Sequence, residues 1–175
     1  MNISEYLLNE IKTWDVVSMP DEFYHGCRDD DKGIDILNKS ISGNKWCSVD
    51  HLYAGDYPWH YTRNHEATPY LLKLTTKMEL KAVERPKRLE GQEKWPQFLK
   101  KCFPQYDNYD LSREFDRNLR AHIFEAFGED VNGYVTVSRK ELIVTKPEQF
   151  VIVQECIELP KDKNDYQNVK KDLFA

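Results

Sequence analysis

Chemistry-bearing side chains stand at the ends of short apolar runs in this chain. Tyr24-His25-Gly26 closes the run EFYHGC at 22–27, setting an imidazole beside a residue with no side chain, and the chain then turns into Arg28-Asp29-Asp30-Asp31. Glu141 opens the run ELIVT at 141–145, just after GYVTV at 133–137. Ser48 ends KWCS at 45–48, and Ala54 and Tyr57 follow on a segment that Asp50 can cap as a helix. A glutamate at such a position can stabilise developing positive charge or take up a proton. A tyrosine offers an aromatic face for stacking. Singly, each has an ordinary structural reading: His25 as a turn residue, Tyr57 as a packed aromatic, Ser48 as a cap, Glu141 as a solvated edge charge.

A second set of residues suggests metal chemistry. His51, His60 and His65 lie near Asp50, Asp56 and Glu66 in DHLYAGDYPWHYTRNHE. Among these, His60 and Asp56, four apart, would share a helix face, and Pro58 lies between them. The spacing matches no ligand rule such as H-E-x-x-H, so no metal is expected.

The elements that must position these residues follow from periodicity. Asn2 to Glu5 can form a capping box, and Ile3, Leu7, Ile11 and Trp14 recur at helical spacing, predicting a helix over 3–14. Strands are expected at 22–25, 45–48, 69–76, 79–83, 133–137, 141–145 and 150–157, and a short helix at 33–40. The last three strands read as near-continuous apolar runs, which suggests burial on both faces. Pro58 should end or kink the helix after Asp50 near Tyr57. Residues 93–102 look helical, and Leu111, Phe115, Leu119, Ile123 and Phe127 recur at strict four-residue spacing, with Gly128 as a C-terminal cap. The order predicts one α+β domain over 1–160, with an insertion near 85–110 and a polar, loosely docked tail at 161–175.

Taken in order, these segments resemble the ADP-ribosyltransferase superfamily. Its small members show a YHG strand, an aromatic-x-S/T strand end with A-x-x-Y on the next helix, a G-Y strand, and a Glu-opened strand running into a Pro-Glu-Gln turn. Here the pieces read YHG, WCSVDHLYAGDY, NGYVTV and ELIVTKPEQFVIV, spanning about 22–157. The resemblance implies split antiparallel β-sheets with flanking helices around NAD as co-substrate, and transfer of its ADP-ribose. It implies Glu141, His25 and Tyr57 as catalytic residues, and Tyr24, His25, Gly26, Arg28, Ser48, Tyr57 and Tyr61 as NAD-binding ones. Glu141 would bond the ribose 2′-hydroxyl and His25 a ribose hydroxyl. Gly26 would admit the nicotinamide amide to the backbone, Tyr57 would stack on the nicotinamide, Ser48 would orient Glu141 or the amide, and Arg28 would meet the pyrophosphate. Arg139 stands where the arginine-modifying branch carries Glu or Gln, which places the chain nearer the His–Tyr–Glu branch. The second stacking tyrosine is left open between Tyr53 and Tyr61.

Composition bounds the partners. At 175 residues, 40% apolar and 31% charged, the chain suits a soluble globular protein. No apolar run is long enough to span a bilayer, and four scattered cysteines without a CxxC pair fit a reducing cytoplasm, that of a bacterial host in this reading. A net charge of −5 argues against nonspecific nucleic-acid binding by the whole molecule. Residues 77–101 nevertheless hold eight Lys/Arg against four Glu, and 85–110 combines basic residues with Trp95, Phe98, Phe103, Tyr106 and Tyr109. That stretch is the expected surface for a macromolecular acceptor, protein or nucleic acid. A monomeric toxin or phage host-takeover factor is expected, with a non-catalytic binding protein on the same fold as the alternative.

Overall fold

Residues 5–60 and 64–173 are described by a computed structural model. In chain order its helices are α1 (Glu5–Ile11), α2 (His51–Gly55), α3 (Lys94–Cys102), α4 (Asn108–Phe127), α5 (Pro147–Phe150) and α6 (Lys163–Leu173). The strands are β1 (Asp15–Ser18), β2 (Glu22–Arg28), β3 (Ile34–Asp35), β4 (Ser40–Ile41), β5 (Lys45–Cys47), β6 (Pro69–Thr76), β7 (Lys81–Glu84), β8 (Gly133–Val135), β9 (Leu142–Val144) and β10 (Val151–Glu158). Helices mix with mainly antiparallel strands, so the class is α+β, as expected. No helix among the described residues is long and apolar enough to cross a membrane.

The chain divides into two compact units, each drawn from two stretches: Met1–Met19 with Leu80–Ser138, and Pro20–Glu79 with Arg139–Ala175. In the first unit β1 runs antiparallel to β7, and β7 parallel to β8. Leu7 and Ile11 of α1 are buried, as are Phe115, Leu119 and Ile123 of α4, so the four-residue repeat of that helix is its core face. Among the aromatic residues of 85–110, Trp95, Phe98 and Phe103 pack into this core, Tyr106 is exposed, and the Tyr109 side chain lies outside those described. Trp95 stacks on Phe98 at 5.3 Å and meets Phe115 edge-on at 5.1 Å. The Arg85 guanidinium lies 4.2 Å from the Trp95 ring centre, a cation–π geometry. Phe98 and Phe103 are buried, while Lys87, Lys94, Lys100 and Lys101 face solvent. The expected mixed basic and aromatic surface is thus largely a basic rim over an aromatic core.

The second unit contains a three-stranded antiparallel sheet in the order β10-β6-β2. Its register sets Tyr24 opposite Lys73 and His25 opposite Leu72. β5 and β9 form an antiparallel pair, Trp46 opposite Ile143. A single bridge, Tyr24 to Ser48, joins β2 to the residue after β5. All residues of β8 and β9 are buried, as their apolar runs suggest. β10 differs: Val151 and Val153 are buried but Ile152 between them is exposed, the alternation of a strand covered on one face, and a bulge falls between Val153 and Glu155.

The structure departs from the sequence reading elsewhere too. Residues 33–40 form no helix. They build the β3–β4 hairpin, whose turn is closed by Asp35 accepting from the Asn38 backbone at 3.0 Å and its side-chain amide at 2.7 Å. The tail carries α6, started by Asp162 accepting from the amides of Asn164 and Asp165. Its Tyr166 is fully buried against Ala54, Leu71 and Leu159. α1 ends at Ile11, and the Asn2 part of the expected capping box lies outside the described residues.

Candidate functional site

The expected site residues that the structure describes all lie in the second unit. β2 presents His25, 9% exposed, whose Nδ1 lies 2.7 Å from the Trp46 carbonyl oxygen. A carbonyl can only accept, so Nδ1 carries the hydrogen, and the bond fixes the ring plane. β5 then turns into α2. The Ser48 hydroxyl accepts from the Asp50 amide at 3.0 Å, and the Asp50 carboxylate caps α2 by accepting from the Leu52 and Tyr53 amides at 3.0 and 3.2 Å. α2 stops at Gly55, and a 3₁₀ turn (Tyr57–Trp59) follows with Pro58 inside it, close to the expected break.

Glu141 reaches this helix from the other side of the unit. Arg139, two residues earlier, is left-handed at φ 60°, and its carbonyl accepts from the Val49 amide at 3.1 Å. That turn sets Glu141 beside α2, where the Tyr53 hydroxyl donates to Glu141 Oε1 at 3.3 Å. Tyr53 on α2 and Tyr57, which opens the 3₁₀ turn, meet edge to face with ring centres 5.4 Å apart. The Tyr57 phenol is held well above its ordinary pKa, first by burial and then by the fields of Tyr53, Glu141 and Cys47. Burial likewise pushes the Cys47 thiol up, so it is not a poised nucleophile. A half-buried carboxylate and two tyrosine rings therefore meet at α2, and the oriented imidazole of His25 stands on β2 of the same unit.

The fold has a solved counterpart. It resembles a chain of the M. tuberculosis MbcT–MbcA toxin–antitoxin complex, with a TM-score of 0.53 over 97% of this chain and 100% of that one, at 12% identity. At that identity the likeness concerns the fold. No family profile and no curated protein sequence matches the chain.

Several of the residues expected to contact a ligand also support the fold around them. Arg28 is 1% exposed, with Nε donating to the Pro58 carbonyl at 2.9 Å and Nη1 to that of Ala67 at 2.7 Å. A guanidinium buried and turned onto those carbonyls ties β2 to the chain after α2. The Tyr24 side chain lies on the strand face opposite His25, because strand side chains alternate, and its hydroxyl donates to Glu22 at 3.1 Å. Its backbone does the positioning, exchanging bonds with Ser48 at 2.7 and 2.9 Å. Ser48 is fully buried and holds the same corner. A Cβ on Gly26 would sit 2.0 Å from the Ala54 carbonyl oxygen and 3.0 Å from Tyr57 Cβ, so the glycine lets α2 press onto β2. Tyr61 lies outside the described residues.

Tyr53 is the residue the sequence left undecided. Its four-residue spacing from Tyr57 was visible, but its bond to Glu141 spans 88 positions. The histidine-rich stretch shows no metal grouping among the described residues. Asp50 there is a helix cap, and Asp56 accepts from Gln167 Nε2 at 2.8 Å.

Proposed function

We propose that the protein is an NAD-dependent mono-ADP-ribosyltransferase that modifies a macromolecular target in a bacterial cytoplasm, as a toxin or a phage host-takeover factor. The observation that carries this reading is the bond from Tyr53 to Glu141 beside Tyr57, in the same unit as the oriented His25. Cleaving the nicotinamide–ribose bond passes through an oxocarbenium-like state, as in glycoside cleavage, and needs a preorganised anion more than a strong nucleophile. Glu141 accepts a bond from the ribose 2′-hydroxyl and stabilises the positive charge at C1′. Tyr53 holds that carboxylate in place, and Tyr57 gives the nicotinamide a stacking face while staying protonated. His25, held at Nδ1, binds a ribose hydroxyl. The C1′–N bond breaks, nicotinamide leaves, the acceptor forms the new bond to C1′ and its proton passes to Glu141 or solvent. The fold likeness to a toxin–antitoxin chain supports a toxin role, and with it a neutralising protein partner.

The test is incubation of the purified protein with labelled NAD and bacterial lysate, followed by separate protease and nuclease treatment of the product. Label in one macromolecular class is expected, and the sensitive class names the acceptor. If calorimetry shows no NAD binding and no label transfers, the catalytic reading falls and a non-catalytic binding protein replaces it.

A further inference from the structure

The tyrosine pair is carried by a very short element, a five-residue helix followed by a three-residue 3₁₀ turn. So short a helix does not hold itself in water. α6 covers the back of this segment. Tyr166 is fully buried: its ring stacks on Trp59 with centres 4.6 Å apart and planes at 22°, and it belongs to the apolar cluster of Ala54, Leu71 and Leu159. Its hydroxyl is buried without a hydrogen-bond partner among the described residues. A Cβ on Gly55 would lie 2.1 Å from that oxygen and 3.2 Å from the ring carbon bearing it. The absence of a side chain at the last residue of α2 is therefore what seats Tyr166. Polar ties close the same junction. Gln167 Nε2 donates to Asp56 Oδ1 at 2.8 Å, Lys170 Nζ lies 3.7 Å from that oxygen, and Trp59 Nε1 donates to the Lys161 carbonyl at 3.4 Å. Asp56 is the C-cap of α2, so the ties reach the hinge between Tyr53 and Tyr57.

We propose that α6 is a clamp that sets the placement of the Tyr53–Tyr57 pair, with Tyr166 as its positioning residue. Tyr166 touches no reacting atom in this arrangement; it acts through Gly55 and Trp59. The consequence for NAD rests on the function proposed above, whereas the clamp itself does not.

The test uses the full chain as Gly55→Ala, Tyr166→Phe and the double variant, read by amide hydrogen exchange and by NAD calorimetry. An alanine in a helix ordinarily stabilises it relative to glycine. Here Gly55→Ala should do the reverse, raising exchange at 51–60 by about tenfold while amides of 69–76 stay unchanged, since local opening is what exchange reports. NAD affinity should weaken by about tenfold as the stacking face moves. Tyr166→Phe alone should behave as wild type. In the double variant the nearest ring atom is 3.2 Å from the new Cβ, so exchange and affinity should return to within about threefold of wild type. Unchanged exchange in Gly55→Ala, or no rescue by Tyr166→Phe, overturns the clamp. If Gly55→Ala does not fold, the joint variant Gln167→Ala, Lys170→Ala decides: exchange at 51–60 should rise by about threefold, and wild-type exchange there defeats the idea. If the wild-type chain binds no NAD, the functional reading fails while the exchange pattern still judges the clamp.

Discussion

The two units bury the same kinds of polar side chain in different surroundings. In the first unit, Arg85 lies over Trp95 and Tyr134, and His122 stacks on Phe115 at 5.7 Å with no hydrogen-bond partner for either ring nitrogen among the described residues. In the second, Arg28 donates to two backbone carbonyls and His25 is held by the Trp46 carbonyl. Faces of aromatic rings tolerate a cation or an imidazole but leave its orientation loose. A carbonyl acceptor fixes direction and tautomer, which is what a site needs from its imidazole. Burial alone does not distinguish the two histidines, since both are largely covered; the hydrogen-bond partner does.

The largest effect should come from the second unit's chemistry. Glu141→Gln keeps size but loses charge at the Tyr53 hydroxyl, and should lower transfer by about 10²–10³ with little change in melting temperature. Wild-type turnover would remove Glu141 from the site. Arg28→Met should strip two buried carbonyls of their donor and cost about 2–4 kcal/mol in denaturant unfolding. A loss of NAD affinity without a stability change would assign Arg28 to the pyrophosphate.

The histidines sharpen the comparison through pH. Burial lowers the His122 pKa to about 4 from its ordinary 6.5. The folded chain keeps that ring neutral while the unfolded chain takes up the proton. The His122 contribution is therefore present above pH 6.5 and lost as pH falls through about 4, with a slope near 1.4 kcal/mol per pH unit inside that window. Unfolding of His122→Phe between pH 7 and 4.5 should show a flatter loss than wild type; an equal slope would assign the loss to other groups. The smallest effect concerns the basic rim. Reversing Lys87, Lys100 and Lys101 to Glu should change stability by about 0.5 kcal/mol or less, because these side chains face solvent. Label transfer to the acceptor is expected to fall while NAD cleavage without acceptor survives. Intact labelling would separate the rim from acceptor choice.

Local pattern alone decided much of this protein. The four-residue repeat at 115–123, the central strand at 69–76, the Asp50 cap and the break at Pro58 follow from periodicity and backbone chemistry acting over a few residues. His25, Tyr57 and Glu141 could be singled out because each stands at the end or the start of an expected element, although β2 runs past His25 to Arg28. Tertiary structure decided what those residues meet. β1 has only four residues, too few for a periodic signal, and exists through its pairing with β7. Arg28 stands three residues from His25, yet it bonds to carbonyls 30 and 39 positions away. The four-residue spacing of Tyr53 and Tyr57 was legible, but Tyr53 reaches Glu141 only through the Arg139 turn, and α6 covers the back of α2. Those partners lie far apart in the chain, so short-range pattern cannot register them, and the site takes its form from long-range packing.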